Sequence, residues 1–280
     1  MNLRTALAAM TLSFAPIASA QSANYQGTWW GGPEEAGWNI SFAHQGDVIF
    51  ALWATYDEAG KSMWLSMSAM KDGPDSFSGT LYRSTVPPSN NPPSYDPARL
   101  AMTDVGTATI AFSSAGEGKF TYRVSGVERT KRIERFLFNN TGMACTWVPD
   151  GDLPTSGNST DIYYSRAQPG SAFAIQHIPD AIFYTWFTYG TDGSPTWLYG
   201  VGFDTYGDYD SQIYRTTGTS YLAPSFDPAS VTYSIVGDIE LEPHGYGEMG
   251  VSAGGRSWGF EGNLERYVFR GKGTSCEVQR

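Results

Sequence analysis

The sequence predicts an all-β protein of two tandem antiparallel meander modules, each closing most simply into an eight-stranded barrel. Three observations carry that prediction. Aromatic residues make up 15% of the 280-residue chain and charged residues 16%, with 32 glycines, which is the balance of many short strands joined by tight turns. Short apolar runs recur between turn signals throughout. Residues 37–65 also match residues 170–198 without a gap.

In that match His44 falls on His177, Asp47 on Asp180, Trp53 on Trp186, Thr55-Tyr56 on Thr188-Tyr189, and Trp64-Leu65 on Trp197-Leu198. With small deletions the register runs on: Tyr82-Arg83 meets Tyr214-Arg215, Asp96-Pro97-Ala98 meets Asp227-Pro228-Ala229, and Val105-Gly106 meets Val236-Gly237. Glu134-Arg135-Phe136 then meets Glu265-Arg266-Tyr267, and Cys145 meets Cys276. The chain reads as a first β module over 21–148, a polar Gly/Pro-bearing linker over 149–160 and a second β module over 161–280.

Within the first module the expected strands are 28–31, 38–44, 47–56, 62–68, 77–84, 107–112, 118–125 and 127–138. Residues 47–56 are apolar on both faces, so both faces should be covered. Asp57-Glu58-Ala59-Gly60 turns the chain, and its counterpart Gly190-Thr191-Asp192-Gly193 carries an Asp-Gly hairpin signal. Asp96-Pro97 reads as an N-cap followed by a first-turn proline. Consecutive strands with short turns form a meander, and barrel closure removes its edges. A two-sheet sandwich is the alternative, because periodicity does not separate the two.

Residues 1–20 have the pattern of an export signal: Arg4, an apolar run from Ala6 to Phe14, and Ala18-Ser19-Ala20 before Gln21. The run is too short to span a bilayer. The expected location is therefore periplasmic or extracellular, with no membrane insertion after cleavage. Loss of Arg4 takes the formal charge from -10 to -11, which argues against nucleic acid as a partner. A small molecule, a glycan or another protein remains open as partner. In an exported chain the pair Cys145 and Cys276 is expected to form a disulfide, which would bond equivalent points of the two copies. The alternative is that each cysteine lost a partner within its own module. No Cys/His cluster suggests a metal, and no fingerprint suggests a cofactor.

Trp29-Trp30-Gly31-Gly32-Pro33-Glu34-Glu35-Ala36-Gly37-Trp38, followed by His44-Gln45-Gly46 and Trp53-Ala54-Thr55-Tyr56-Asp57, resembles a module of exported proteobacterial proteins. Its pattern is W-W-x-x-P-x-E-S-G-W, then H-Q-G, W-F-T-Y-D and G-x-P-x-W-L. The module occurs alone, in tandem or appended to hydrolases, and the resemblance spans the mature chain but implies no activity. The second copy departs from it, with Tyr163-Tyr164-Ser165-Arg166 where the double Trp and paired Glu stand. Gly27-Thr28-Trp29 is also similar to the Gly-x-Trp start of lipocalin- and avidin-like barrels, which favours a barrel over a sandwich.

Candidate chemistry follows from these segments. Glu34 and Glu35 lie on a loop and could serve as acid and base, although neighbours on extended backbone point apart; a solvated loop is the plainer reading. His44, matched by His177, is either an acid/base group or a hydrogen-bonded turn anchor. Trp29, Trp30, Trp38, Tyr56 and Tyr82, with Arg83, form an aromatic set that could line a ligand pocket or fill a core. Arg83 and Arg215 need a carboxylate or a ring, for which Asp96 or Glu134 and Asp227 or Glu265 are candidates. The leading expectation is an exported binding or surface-interaction protein with an aromatic-lined site in the first module. A hydrolase or isomerase using Glu34, Glu35 or His44 is the alternative, and a structural envelope protein without a ligand is a third. Whether it is an enzyme stays open, with the balance against.

Overall fold

A computed structural model describes residues 23–89, 95–137, 142–154, 157–178, 180–244 and 247–279. Each module closes into an eight-stranded antiparallel barrel with its strands in sequence order, which decides between barrel and sandwich. The first barrel comprises β1 (Gly27–Trp30), β2 (Asn39–Gln45), β3 (Val48–Tyr56), β4 (Ser62–Gly73), β5 (Ser76–Thr85), β6 (Ala101–Phe112), β7 (Glu117–Val124) and β8 (Val127–Arg135). After β9 (Gly142–Trp147), the second barrel comprises β10 (Asp161–Tyr164), β11 (Ala172–Ile178), β12 (Ala181–Tyr189), β13 (Pro195–Thr205), β14 (Asp208–Thr217), β15 (Thr232–His244), β16 (Glu248–Gly255) and β17 (Trp258–Arg266). The chain closes on β18 (Thr274–Gln279). Trp29 opposite Arg135 seals the first barrel, and Tyr163 opposite Arg266 seals the second.

Local chemistry explains the bends. The β7–β8 hairpin turns on Ser125 and Gly126 at φ 52° and 76°, because a two-residue turn of matching twist needs positive φ at both positions. In β6, Leu81 pairs with Gly106 and Tyr82 with Asp104, so Val105 is an extra residue in a bulge. A Cβ on Gly106 would lie 2.0 Å from the Arg123 carbonyl oxygen, and one on Gly237 would lie 2.3 Å from that of Gly254. The matched Val-Gly pairs are thus backbone requirements of the curved sheet.

Two expectations are corrected. Strand β6 starts at Ala101 rather than 107, because its first half is solvent-facing and shows no apolar alternation. Asp96 does cap the short turn before it, accepting from the Ala98 N–H. Strands β9 and β18 were also missed. They pair only with each other across the two modules, so no local hairpin announces them. Cys145 lies directly opposite Cys276 in this ribbon and is disulfide-bonded to it. The end of the expected strand at Phe138 lies outside the described residues.

The core of the first barrel continues across the junction to Phe187, Tyr189 and Trp197 of the second, whose interior forms a cluster of its own. The contacts across the junction are reciprocal. The Trp64 indole donates to the Thr188 carbonyl at 2.9 Å, and the Trp197 indole donates to the Thr55 carbonyl at 2.8 Å. The segments after β5 and β14 cross over in the same way: Val86 N–H donates to Gly193, and Gly218 N–H donates to Gly60. Tyr95 on the first arm packs on Tyr189, and Phe226 on the second packs on Tyr56. Burying one such aromatic side chain contributes about 2–3 kcal/mol, so these contacts tie the two modules together.

Candidate functional site

The segment between β1 and β2 is a short 3-10 turn, Pro33–Glu35, with proline at its start. It returns the chain so that Trp38 sits beside Glu35. The Glu35 carboxylate accepts from the Trp38 indole at 3.1 Å and from Lys131 on β8 at 2.8 Å. The Lys131 ammonium in turn lies 4.9 Å from the centre of the Trp38 ring and 5.5 Å from that of Phe226. Glu35 is therefore committed to fixing Trp38, and Glu34 is exposed beside it without converging on it. The two carboxylates do not form a working pair.

Trp38 so held becomes one wall of a cavity of about 220 Å³ at the barrel junction. Trp30, Tyr56 and Asn39 from the first module line it, together with Phe183, Trp197 and Tyr199 from the second. Tyr56 is fixed by donating to the Gly37 carbonyl, as Tyr189 does to Gly170. Trp30 stands edge-on to Phe136, which packs on Phe183. Asn39 supplies the one conspicuous polar feature. Its amide nitrogen donates to Thr185 at 3.1 Å, while its carbonyl oxygen is buried with no partner. An unpaired buried acceptor costs about 1–3 kcal/mol, and the residue that carries it stands in the wall of the cavity.

The other sequence candidates lie elsewhere. Trp29 is fully buried inside the first barrel, donating to the Tyr25 carbonyl and capped by the Arg135 guanidinium at 5.2 Å. Tyr163 under Arg266 repeats that arrangement, so Trp29 belongs to the core and is set apart from the pocket. Tyr82 is half-buried on the opposite face of β5 from Arg83 and does not line the junction cavity. Arg83 lines a different cavity. The carboxylates considered for the arginines are engaged otherwise: Asp96 and Asp227 cap turns, Glu265 pairs with Arg166 at 2.7 Å, and Glu134 lies 3.6 Å from Arg132.

His44 has both ring nitrogens occupied. Nδ1 accepts from the Tyr25 N–H at 3.0 Å, so Nε2 carries the proton and donates to Gly46 at 3.0 Å. His177 accepts from Ser159 in the same way and faces Tyr209 through Nε2. Burial pulls the His44 imidazole down to about 4, so it is neutral near pH 7. Each histidine accepts from the segment that enters the first strand of its barrel, and His44 also donates into the turn that follows it.

Asn39 and Lys131 were missed at the level of sequence. Both stand where the second module has a small residue, Ala172 and Gly262, as the strand pairings show. A polar residue that only one copy retains was the available signal. Among the described residues, no three His, Cys, Asp or Glu side chains group closely enough to hold a metal ion. No family model, curated protein or solved structure matches the chain.

Proposed function

We propose that this chain is an exported binding protein, and that its site is the aromatic cavity at the barrel junction. The observation that carries the reading is the unpartnered carbonyl oxygen of Asn39 within a wall of aromatic rings. The occupant is a small neutral ring compound with one N–H or O–H donor. A dry apolar cavity of about 150 Å³ accepts benzene, so about 220 Å³ suits one ring with a substituent or a compact fused pair. The donor would satisfy Asn39, and the rings would stack on Trp30, Trp38 and Trp197. Engagement of Glu35 by Lys131, and of both nitrogens of His44, supports binding over acid/base chemistry. Export is supported by the signal-like residues 1–20 and by the disulfide, which persists in oxidising compartments.

The test is a fluorescence titration with phenol and indole against toluene and N-methylindole. Phenol and indole should change tryptophan emission saturably and their donor-free analogues should bind more weakly. Trp38→Ala should abolish the response while the fold survives by circular dichroism. A flat response to phenol and indole in the wild type, or equal binding with and without the donor, refutes the assignment.

A further inference from the structure

The mouths of the two barrels differ in a way that the fold does not require. In the first, Trp53 is covered by Phe120, Tyr122 and, from the crossing arm, Tyr221. Arg129 holds that arm through the Leu222 and Ala223 carbonyls at 3.1 and 3.0 Å. In the second, strand register places Val251 and Ala253 at the positions of Phe120 and Tyr122, and Phe260 at that of Arg129. Two rings over the core tryptophan are thus replaced by small side chains, while Trp258 and Phe260 pack on Trp186 from the neighbouring strand. A cavity of about 430 Å³ remains, bounded below by Trp186 and Trp258, whose rings lie 5.8 Å apart.

The polar lining of this cavity is unusual. Trp186 pairs with Leu198 and Leu198 with Arg215, so Arg215 shares the inner face with the tryptophan. Arg83, its counterpart on β5, lines the same space. Among the described residues neither arginine forms an ion pair. The Nε of Arg83 and the hydroxyl of Thr188 are buried there without partners. Asp57 and Asp192 also border the cavity, but each carboxylate accepts backbone N–H groups of its own turn. With Lys61, the lining carries three cations against two carboxylates, an excess of one positive charge in a chain of formal charge -10.

We propose that the mouth of the second barrel binds a small aromatic carboxylate. The carboxylate lies between Arg215 and Arg83, with the Thr188 hydroxyl as a further donor, and the ring lies on Trp186 and Trp258. One negative charge matches the excess on the lining. The guanidinium fork matches a carboxylate in shape, and the cavity volume suits one or two rings.

Calorimetric and fluorescence titration of the full chain with benzoate, phenylacetate and indole-3-acetate, each against its neutral amide, tests this. At least one acid should bind saturably and better than its amide. Arg215→Gln should weaken it about tenfold or more, since a charge-assisted hydrogen bond is lost, and Arg215→Lys should recover part of the loss. Arg215 is exposed, so an unchanged melting temperature is expected and separates binding from folding. No saturable binding by any of the acids, equal binding of the amides, or affinity unchanged in Arg215→Gln overturns the proposal.

Discussion

Acidification from pH 6.5 to pH 4 acts on two buried groups, His44 and Asp161, in opposite directions, while His177, also pulled down by burial, adds to the loss. His44 has an ordinary value near 6.5 and a folded value of about 4, lowered chiefly by burial. The unfolded chain therefore takes up a proton that the folded one refuses. Stability falls as pH drops through this interval, by about 3 kcal/mol at about 1.4 kcal/mol per pH unit. Asp161 behaves in the opposite sense. Burial pushes its carboxyl up to about 6, and Arg266, 3.7 Å away and not hydrogen-bonded to it, pulls back only part of that. The folded state then takes up the proton first, so stability rises as pH falls from 6 towards 3.8, again by about 3 kcal/mol. Asp161→Asn removes the second effect and leaves the first. Urea unfolding at pH 6.5, 5 and 4 should give Asp161→Asn a loss of about 3 kcal/mol relative to the wild-type profile. His44→Gln should tilt the opposite way, gaining stability on acidification. Comparing variants cancels the contribution of the other carboxylates. An Asp161→Asn profile parallel to that of the wild type would refute the burial argument for Asp161, and an unchanged His44→Gln profile would refute the one for His44.

Three further outcomes are expected. Trp64→Phe and Trp197→Phe each delete one interbarrel hydrogen bond and should each cost about 1 kcal/mol in urea unfolding, whereas the corresponding alanine variants should cost about 3–5 kcal/mol; the motivation is the reciprocal pair of indole donors. Glu35→Gln, which breaks the partly buried ion pair with Lys131, should cost about 1 kcal/mol and weaken phenol binding more than stability, since Trp38 loses its clamp; unchanged near-ultraviolet circular dichroism and unchanged binding would speak against it. Replacing both cysteines by serine reopens a connection 131 residues apart, which the loop-closure model values at about 5 kcal/mol; a loss of unfolding free energy well under about 1 kcal/mol would refute that value for the β9–β18 ribbon.

Barrel strands were legible in the sequence because their signals are local. Alternation, Asp-Gly and Ser-Gly turns and the Val-Gly bulge pair act over a few residues, and the alternation and the bulge pair appear in both halves of the chain. Comparing the halves also separated positions that both need from positions that one has changed. Trp53/Trp186, Trp64/Trp197 and Tyr56/Tyr189 are core and junction residues, and the segment from Trp30 to Trp38 forms a wall that only the first half supplies. Trp29 escaped this comparison because Tyr163 keeps its role with a different ring.

What the sequence determined by itself, then, was the all-β class and the run of barrel strands, with the module bounds and the pairing of the cysteines as expectations. Only the tertiary structure decided which side of each strand meets the other barrel. The arms after β5 and β14 cross between modules, and their partners lie about a hundred residues away or more in the chain, as Tyr122 and Tyr221 do. Such contacts leave no periodic trace, because their energy comes from shape fitted across two separate sheets. The junction cavity, the strands β9 and β18 and the open mouth of the second barrel all belong to that class. Asn39 reads in sequence as one polar residue in a strand; only the packing of both barrels around it leaves its oxygen without a partner.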